Sequence, residues 1–269
     1  MNVRLLIIDP QNDFCDIPGA ALPVSGADAD MQRLAQFMTA ASEQLTDIMI
    51  TLDSHPGVAI ERTTFWRNAQ GEAVAPFTQI TEADVRAGRF APRDAQRLDQ
   101  VIEYLHALEA GERYRLMVWP VHCVVGTWGH NIHSALLPPL TAWEQRVQRG
   151  AFKVMKGMNP MTEQYSAVRA EVPVMDDPRT QTNHELIERV LPGEGLTLVA
   201  GEASSHCVAA TLEHLFQEMT PRDCQRFVIL RDCMSAVAGF EAQADAFFAH
   251  ATTLGARVLT AAQARELLS

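Results

Sequence analysis

The sequence has no excess of basic charge: 22 Lys and Arg stand against 33 Asp and Glu, a formal net charge of -11 at pH 7. Phosphate backbones and anionic lipid surfaces are bound through basic patches, so neither a nucleic-acid partner nor a membrane partner is expected. Paired cysteines are missing as well. The five present, Cys15, Cys123, Cys207, Cys224 and Cys233, are odd in number, scattered, and form no CxxC. That pattern argues against a disulfide framework or a zinc ribbon and predicts a reducing compartment. No apolar run approaches the ~20 residues that cross a bilayer. The chain opens directly into a strand pattern without the charged, apolar and small-residue sections of a secretory signal, and we expect a cytoplasmic protein. Internal repeats and low-complexity tracts are absent.

What remains is an ordinary globular composition, 47% hydrophobic and 20% charged over 269 residues, and it predicts one domain with decorations. Short runs rich in Val, Ile and Leu recur at Val3-Ile8, Ile48-Leu52, Leu116-Trp119, Ala151-Met155, Leu196-Ala200, Phe227-Leu230 and Val258-Leu259. Between them lie apolar residues at helical spacing, such as Met31, Leu34, Ala35 and Met38, and Leu98, Val101, Ile102, Leu105 and Leu108 before Gly111. Alternating strands and helices, with strands apolar on both faces, predict a three-layer α/β fold: a mostly parallel sheet with helices on both faces. An insertion at about 62–113, whose first part from Arg62 to Arg93 is polar with a Phe65-Trp66 pair, breaks the alternation. A longer loop at about 172–182 does so again. Such stretches serve as lids, binding loops or subunit contacts.

Ligands of an open parallel sheet bind beyond the carboxyl ends of its strands, so polar residues that follow strands are the candidates. Asp9 follows the first run, Asp53 and His55 the second, His122 the third, Lys156 the fourth, and Cys207 the turn after the fifth. Cys207 opens a helix carrying Val208, Leu212, Leu215 and Met219. Free backbone N–H groups and the helix dipole there favour thiolate and can cradle an oxyanion. Asp9 is placed to take the thiol proton and return it to a leaving amine. Lys156 brings a positive charge to both. A buried apolar cysteine, a turn aspartate and a surface lysine are the plainer alternatives for these three. Asp53, His55 and His122 offer imidazole and carboxylate ligands with open positions, which suits a catalytic zinc, iron or manganese; a hydrogen-bonded histidine pair beside a turn is the alternative.

Five segments together resemble the nicotinamidase branch of the isochorismatase-like cysteine hydrolases. They are Ile7 to Phe14, Asp53-Ser54-His55, Trp119-Pro120-Val121-His122-Cys123-Val124-Val125-Gly126-Thr127, Lys156-Gly157 with Tyr165-Ser166-Ala167, and Ala203 to Val208. The resemblance implies a Rossmann-like, six-stranded sheet and a catalytic triad of Asp9, Lys156 and Cys207. It also implies an oxyanion hole from the amides of Ala203 and Cys207 beside a cis peptide at Glu202-Ala203. One divalent metal ion, zinc foremost, falls on Asp53, His55 and His122, and Phe14, Trp119 and Tyr165 line an aromatic slot. The partner implied is a small-molecule amide, nicotinamide or a close analogue, and the assembly a homo-oligomer. Two departures stand out: Glu61 occupies the place of a further histidine, either as a carboxylate ligand or as a plain glutamate, and Glu202 replaces an apolar residue. A related amidohydrolase for an acyclic amide or ureide, and a non-catalytic binding module of the same fold, are the competing readings.

Overall fold

The computed structural model describes residues 2–191 and 193–268. Its strands are β1 (Val3–Ile8), β2 (Leu45–Asp53), β3 (Trp66–Asn68), β4 (Thr78–Ile80), β5 (Phe90–Pro92), β6 (Leu116–Val118), β7 (Phe152–Lys156), β8 (Leu196–Gly201), β9 (Phe227–Leu230) and β10 (Arg257–Leu259). The helices are α1 (Ala27–Ala40), α2 (Glu82–Arg86), α3 (Leu98–Ala110), α4 (Leu137–Val147), α5 (His184–Val190), α6 (Cys207–Gln217), α7 (Pro221–Cys224), α8 (Glu241–Thr253) and α9 (Ala261–Leu268).

Six strands form one sheet in the order β10-β9-β8-β1-β2-β7, and every neighbouring pair is parallel. Parallel strands need crossovers, and the helices supply them on both faces. Met31, Leu34 and Phe37 of α1, Leu140 and Trp143 of α4, and Ala264 of α9 pack against one face. Leu186 of α5, Val208, Leu212 and Leu215 of α6, and Phe247 of α8 pack against the other. β1 lies at the centre, and the chain leaves it toward β2 on one side and reaches β8 on the other. That reversal opens a crevice at the carboxyl ends of β1, β2 and β8, the usual place for a ligand in such a sheet.

One strand expectation is corrected. Leu116–Val118 lies outside the six-stranded sheet and pairs antiparallel with β4. It is apolar on both faces because Leu116 and Val118 pack on a third core with Ile60, Trp66, Ile80, Val101 and Leu105, while Met117 between them packs in the core on the α5, α6 and α8 side of the sheet. Residues 62–113 therefore build a layer of their own, with β3-β5, β4-β6 and α3 around that core. The segment after β6 is tied down by Trp119 N–H donating to Glu61 O at 2.7 Å, which steers His122 toward the crevice. In the 172–182 loop, Asp177 caps a short 3-10 turn at Pro178–Thr180, and Asn183 N–H donates to Val168 O at 2.7 Å. No helix among the described residues is long and apolar enough to cross a membrane.

Candidate active site

Asp9 sits one residue beyond β1, with Thr51 of β2 fixing it on two sides. The Thr51 hydroxyl donates to Asp9 Oδ1 at 2.5 Å, and Asp9 N–H donates to Thr51 O at 3.1 Å. Its φ of 45° is a left-handed conformation that Asp tolerates better than most residues, and it turns the carboxyl into the crevice. Lys156 ends β7 opposite Asp53 at the end of β2, where the two strands are in register. The Lys156 ammonium is buried and reaches four groups: Asp53 Oδ1 at 2.8 Å, Asp9 Oδ2 at 2.9 Å, Gln164 O at 3.2 Å and Cys207 Sγ at 3.5 Å. Of the six residues expected to converge, Asp9, Asp53 and Cys207 are thus brought together by a fourth, Lys156.

Charges in this dry site move one another. Burial alone would lower the Lys156 pKa, but Asp53, Asp9 and Cys207 raise it well above its ordinary value, so the ammonium is fixed. Burial would raise Asp53, yet His55 and Lys156 hold it well below the carboxylate range. Asp9 is raised, mainly by burial and against the pull of Lys156, which suits a group that must accept and release a proton. Cys207 departs from expectation. Burial pushes its thiol well up; Lys156 pulls it down, and Asp9 and Asp53 add to the rise. The helix start does not make a resting thiolate here, because desolvation of the anion outweighs it. The thiol stands beside Asp9, its neighbouring base.

Cys207 is the first residue of α6, and it lines a cavity together with Ala203, Phe14, Trp119 and Tyr165. The peptide between Glu202 and Ala203 is cis. Among the described residues neither the Ala203 amide nor the Cys207 amide donates a hydrogen bond, so both remain free for an oxygen in the cavity. Trp119 Nε1–H donates to the Tyr165 hydroxyl at 3.0 Å, and the Phe14 ring meets the edge of His122 at 5.2 Å between centroids. The three aromatic residues and the nucleophile candidate therefore face the same space.

Asp53, His55 and His122 lie beside it, their ligand atoms all within 4.8 Å of one another. His122 Nδ1 lies 2.8 Å from Pro120 O, and the Arg62 guanidinium stands against both ring nitrogens, 3.0 Å from Nε2. His122 Nε2 faces Asp53 Oδ2 at 3.3 Å, and His55 Nε2 reaches the same oxygen at 2.7 Å. Two imidazole nitrogens and a carboxylate oxygen gathered at one place form an N and O donor set that fits a divalent metal. Glu61 stands on the far side of His55, with Oε1 3.0 Å from Nδ1. Gly157 shapes this corner: a Cβ added to it would lie 2.4 Å from His55 Cε1, and its φ is +76°. Gly157→Ala is expected to displace His55 and weaken zinc binding about tenfold or more, the scale set by losing a support of a metal ligand, as read by chelator competition.

Several site residues carried no signal strong enough to single them out in the sequence. Thr51, Arg62, Glu163, Gln164 and His206 are ordinary in their local patterns, and only the fold places them around the crevice. Arg62, Glu163 and His206 line the cavity. Burial and the nearby Glu61 push the Glu163 carboxyl up to about 8, and burial pushes Glu171 to about 7. Raised acids destabilise the fold increasingly from about pH 4.5, where the unfolded chain begins to ionise, up to about pH 8. His206 and His214, depressed by burial to about 4 and about 3, act only below pH 6.5. Between pH 6.5 and 8 these carboxyls act in the same direction as His55, which burial would lower but Asp53 and Glu61 raise, so the melting temperature is expected to fall across that window. In Glu163→Gln the fall is expected to be shallower, and an equal slope in parent and variant would contradict the assignment.

The sheet order and the position of the site at its carboxyl edge define the isochorismatase-like α/β fold. The chain is homologous to a nicotinamidase of Saccharomyces cerevisiae, 25% identical over 207 residues that cover 77% of this chain and 78% of that protein. No family model matches. The fold is shared with a nicotinamidase and pyrazinamidase of Acinetobacter baumanii, at a TM-score of 0.63 and 19% identity, covering 97% of each chain. It is shared also with a pyrazinamidase of Pyrococcus horikoshii solved in complex with zinc, at a TM-score of 0.55 and 18% identity, covering 97% of this chain and 99% of that one.

Proposed function

We propose that the chain is a nicotinamidase-like cysteine amidohydrolase, converting nicotinamide or a close heteroaromatic analogue to the acid and ammonia through a thioester on Cys207. The observation that carries this reading is the contact of one buried ammonium, Lys156, with Asp9, Asp53 and Cys207 beside a cavity walled by aromatic rings.

Sulfur bonds to the amide carbon as Asp9 takes the thiol proton, which makes the resting thiol consistent with catalysis. The negative charge that appears on the carbonyl oxygen is met by the amides of Ala203 and Cys207. Asp9 then gives its proton to the amide nitrogen, the C–N bond breaks and ammonia leaves. Water attacks the thioester carbon, releasing the acid and returning a proton to sulfur. Lys156 stays charged throughout and holds Asp9 and Asp53 in place. Phe14, Trp119 and Tyr165 bind the ring and exclude water. A divalent ion on Asp53, His55 and His122, zinc in this reading with iron and manganese as alternatives, would supply a Lewis acid near the ring. The same reading takes the chain as one hydrolase domain with its 62–113 insertion, acting as a homo-oligomer in the cytoplasm.

Ammonia release from nicotinamide, pyrazinamide and acyclic carbamoyl compounds, with metal supplied, tests the proposal. One ammonia per nicotinate formed is the expected result. Release from acyclic compounds alone would move the assignment to the ureide class, and no release from any of them would end it.

A further inference from the structure

Arg62 is fully buried, 0% exposed, within the cavity wall. Its Nη1 donates to Pro120 O at 3.1 Å and lies against both ring nitrogens of His122, 3.0 Å from Nε2. Its Nε is 3.3 Å from Glu61 Oε1. Glu61 is 1% exposed and stands against the other imidazole, 3.0 Å from His55 Nδ1. Among the described residues, Nε and Nη2 of Arg62 and both carboxylate oxygens of Glu61 have no hydrogen-bond partner. Hydrogen bonding therefore does not account for burying these two charges. Their common neighbour does: each charge flanks one imidazole of the Asp53, His55 and His122 cluster.

We infer that Glu61 and Arg62 are a buried charge pair that sets how tightly this cluster holds its divalent ion, Arg62 weakening the affinity and Glu61 strengthening it. The inference rests on the reading that the cluster binds a metal. A guanidinium keeps its charge at every accessible pH, so it opposes a dication a few ångströms away under all conditions. Across a short, water-free gap one unit of like charge lowers affinity by roughly tenfold or more. Glu61 acts in the opposite sense by its charge, which stands 3.0 Å from His55 Nδ1 and attracts a cation held by that imidazole. Trp119 N–H, bound to Glu61 O, holds the pair in place from the neighbouring segment. A site tuned in this way binds and releases its ion more readily than the three ligands alone would.

The test is the zinc dissociation constant of the whole chain, measured by competition with a chromophoric chelator, with zinc content determined after dialysis. Arg62→Met is expected to bind zinc about tenfold or more tightly than the parent. Arg62→Lys, which keeps the charge, is expected to stay within about threefold, and Glu61→Gln to bind about tenfold more weakly. A merely structural pair would make both neutral variants bind more weakly, so opposite signs are the signature. Melting curves without metal establish that each variant folds, and Arg62→Gln replaces Arg62→Met if the latter does not. A folded Arg62→Met protein binding zinc no more tightly than a zinc-binding parent would overturn the inference alone. No zinc on the parent or any folded variant would overturn the metal reading along with it.

Discussion

Replacing Cys207 with serine is expected to lower kcat by roughly 10³-fold or more and to leave the fold intact, because the substitution exchanges one atom at a buried helix start. The reason lies in the proton. Asp9 is raised by burial, which makes it a competent base for a thiol held beside it. A serine hydroxyl is a far weaker acid than a thiol, and the same carboxylate leaves it protonated and poorly nucleophilic. Sulfur also keeps its electron density loosely held and attacks a carbonyl carbon well without a strong base. Steady-state ammonia release gives the rate, and intact-protein mass spectrometry under rapid quench is expected to find an acyl adduct on the parent but not on the variant. A Cys207→Ser protein within tenfold of the parent would contradict covalent catalysis at this residue.

Lys156→Met is expected to abolish turnover and to lower stability by about 3–5 kcal/mol, the usual scale for stranding buried charge. Asp9 and Asp53 share this one ammonium, at 2.9 and 2.8 Å, and both are buried. Without it the two carboxylates face each other in a dry site, and one must take a proton for the chain to stay folded. A drop of roughly 10 °C in melting temperature follows from that energy for a chain of this size. Asp9→Asn added to Lys156→Met removes one stranded charge, so it is expected to restore part of the stability while leaving activity absent. A single variant that melts with the parent would mean that Lys156 does not neutralise the pair.

Much of this site could be read from order along the chain. Asp9, Asp53, Lys156 and Cys207 each stand at or just past the end of an apolar run, and parallel strands joined by helices deliver all their carboxyl ends to one edge. That rule needs no knowledge of which strands are neighbours. It failed to place Leu116–Val118, because an apolar run looks the same whether it packs in a central sheet or in an outlying core. His122 still arrives, but from the insertion layer and by way of the Trp119 to Glu61 hydrogen bond. Arg62 was legible only as the first residue of a polar stretch, since nothing local distinguishes a buried arginine from an exposed one.

The chain's own residue order determined the α/β class, the helix that Cys207 begins, the ligand-type spacing of Asp53 and His55, and the lack of a basic surface. Those are local properties, set by periodicity, turn chemistry and composition over a few residues. Only the tertiary structure decided that Lys156 serves two carboxylates at once, that the thiol rests protonated, and that Glu61 and Arg62 flank opposite histidines. Charge interactions and desolvation depend on distance and on the exclusion of water, and residues such as Arg62 and His122, 60 positions apart, acquire both only when the chain is folded.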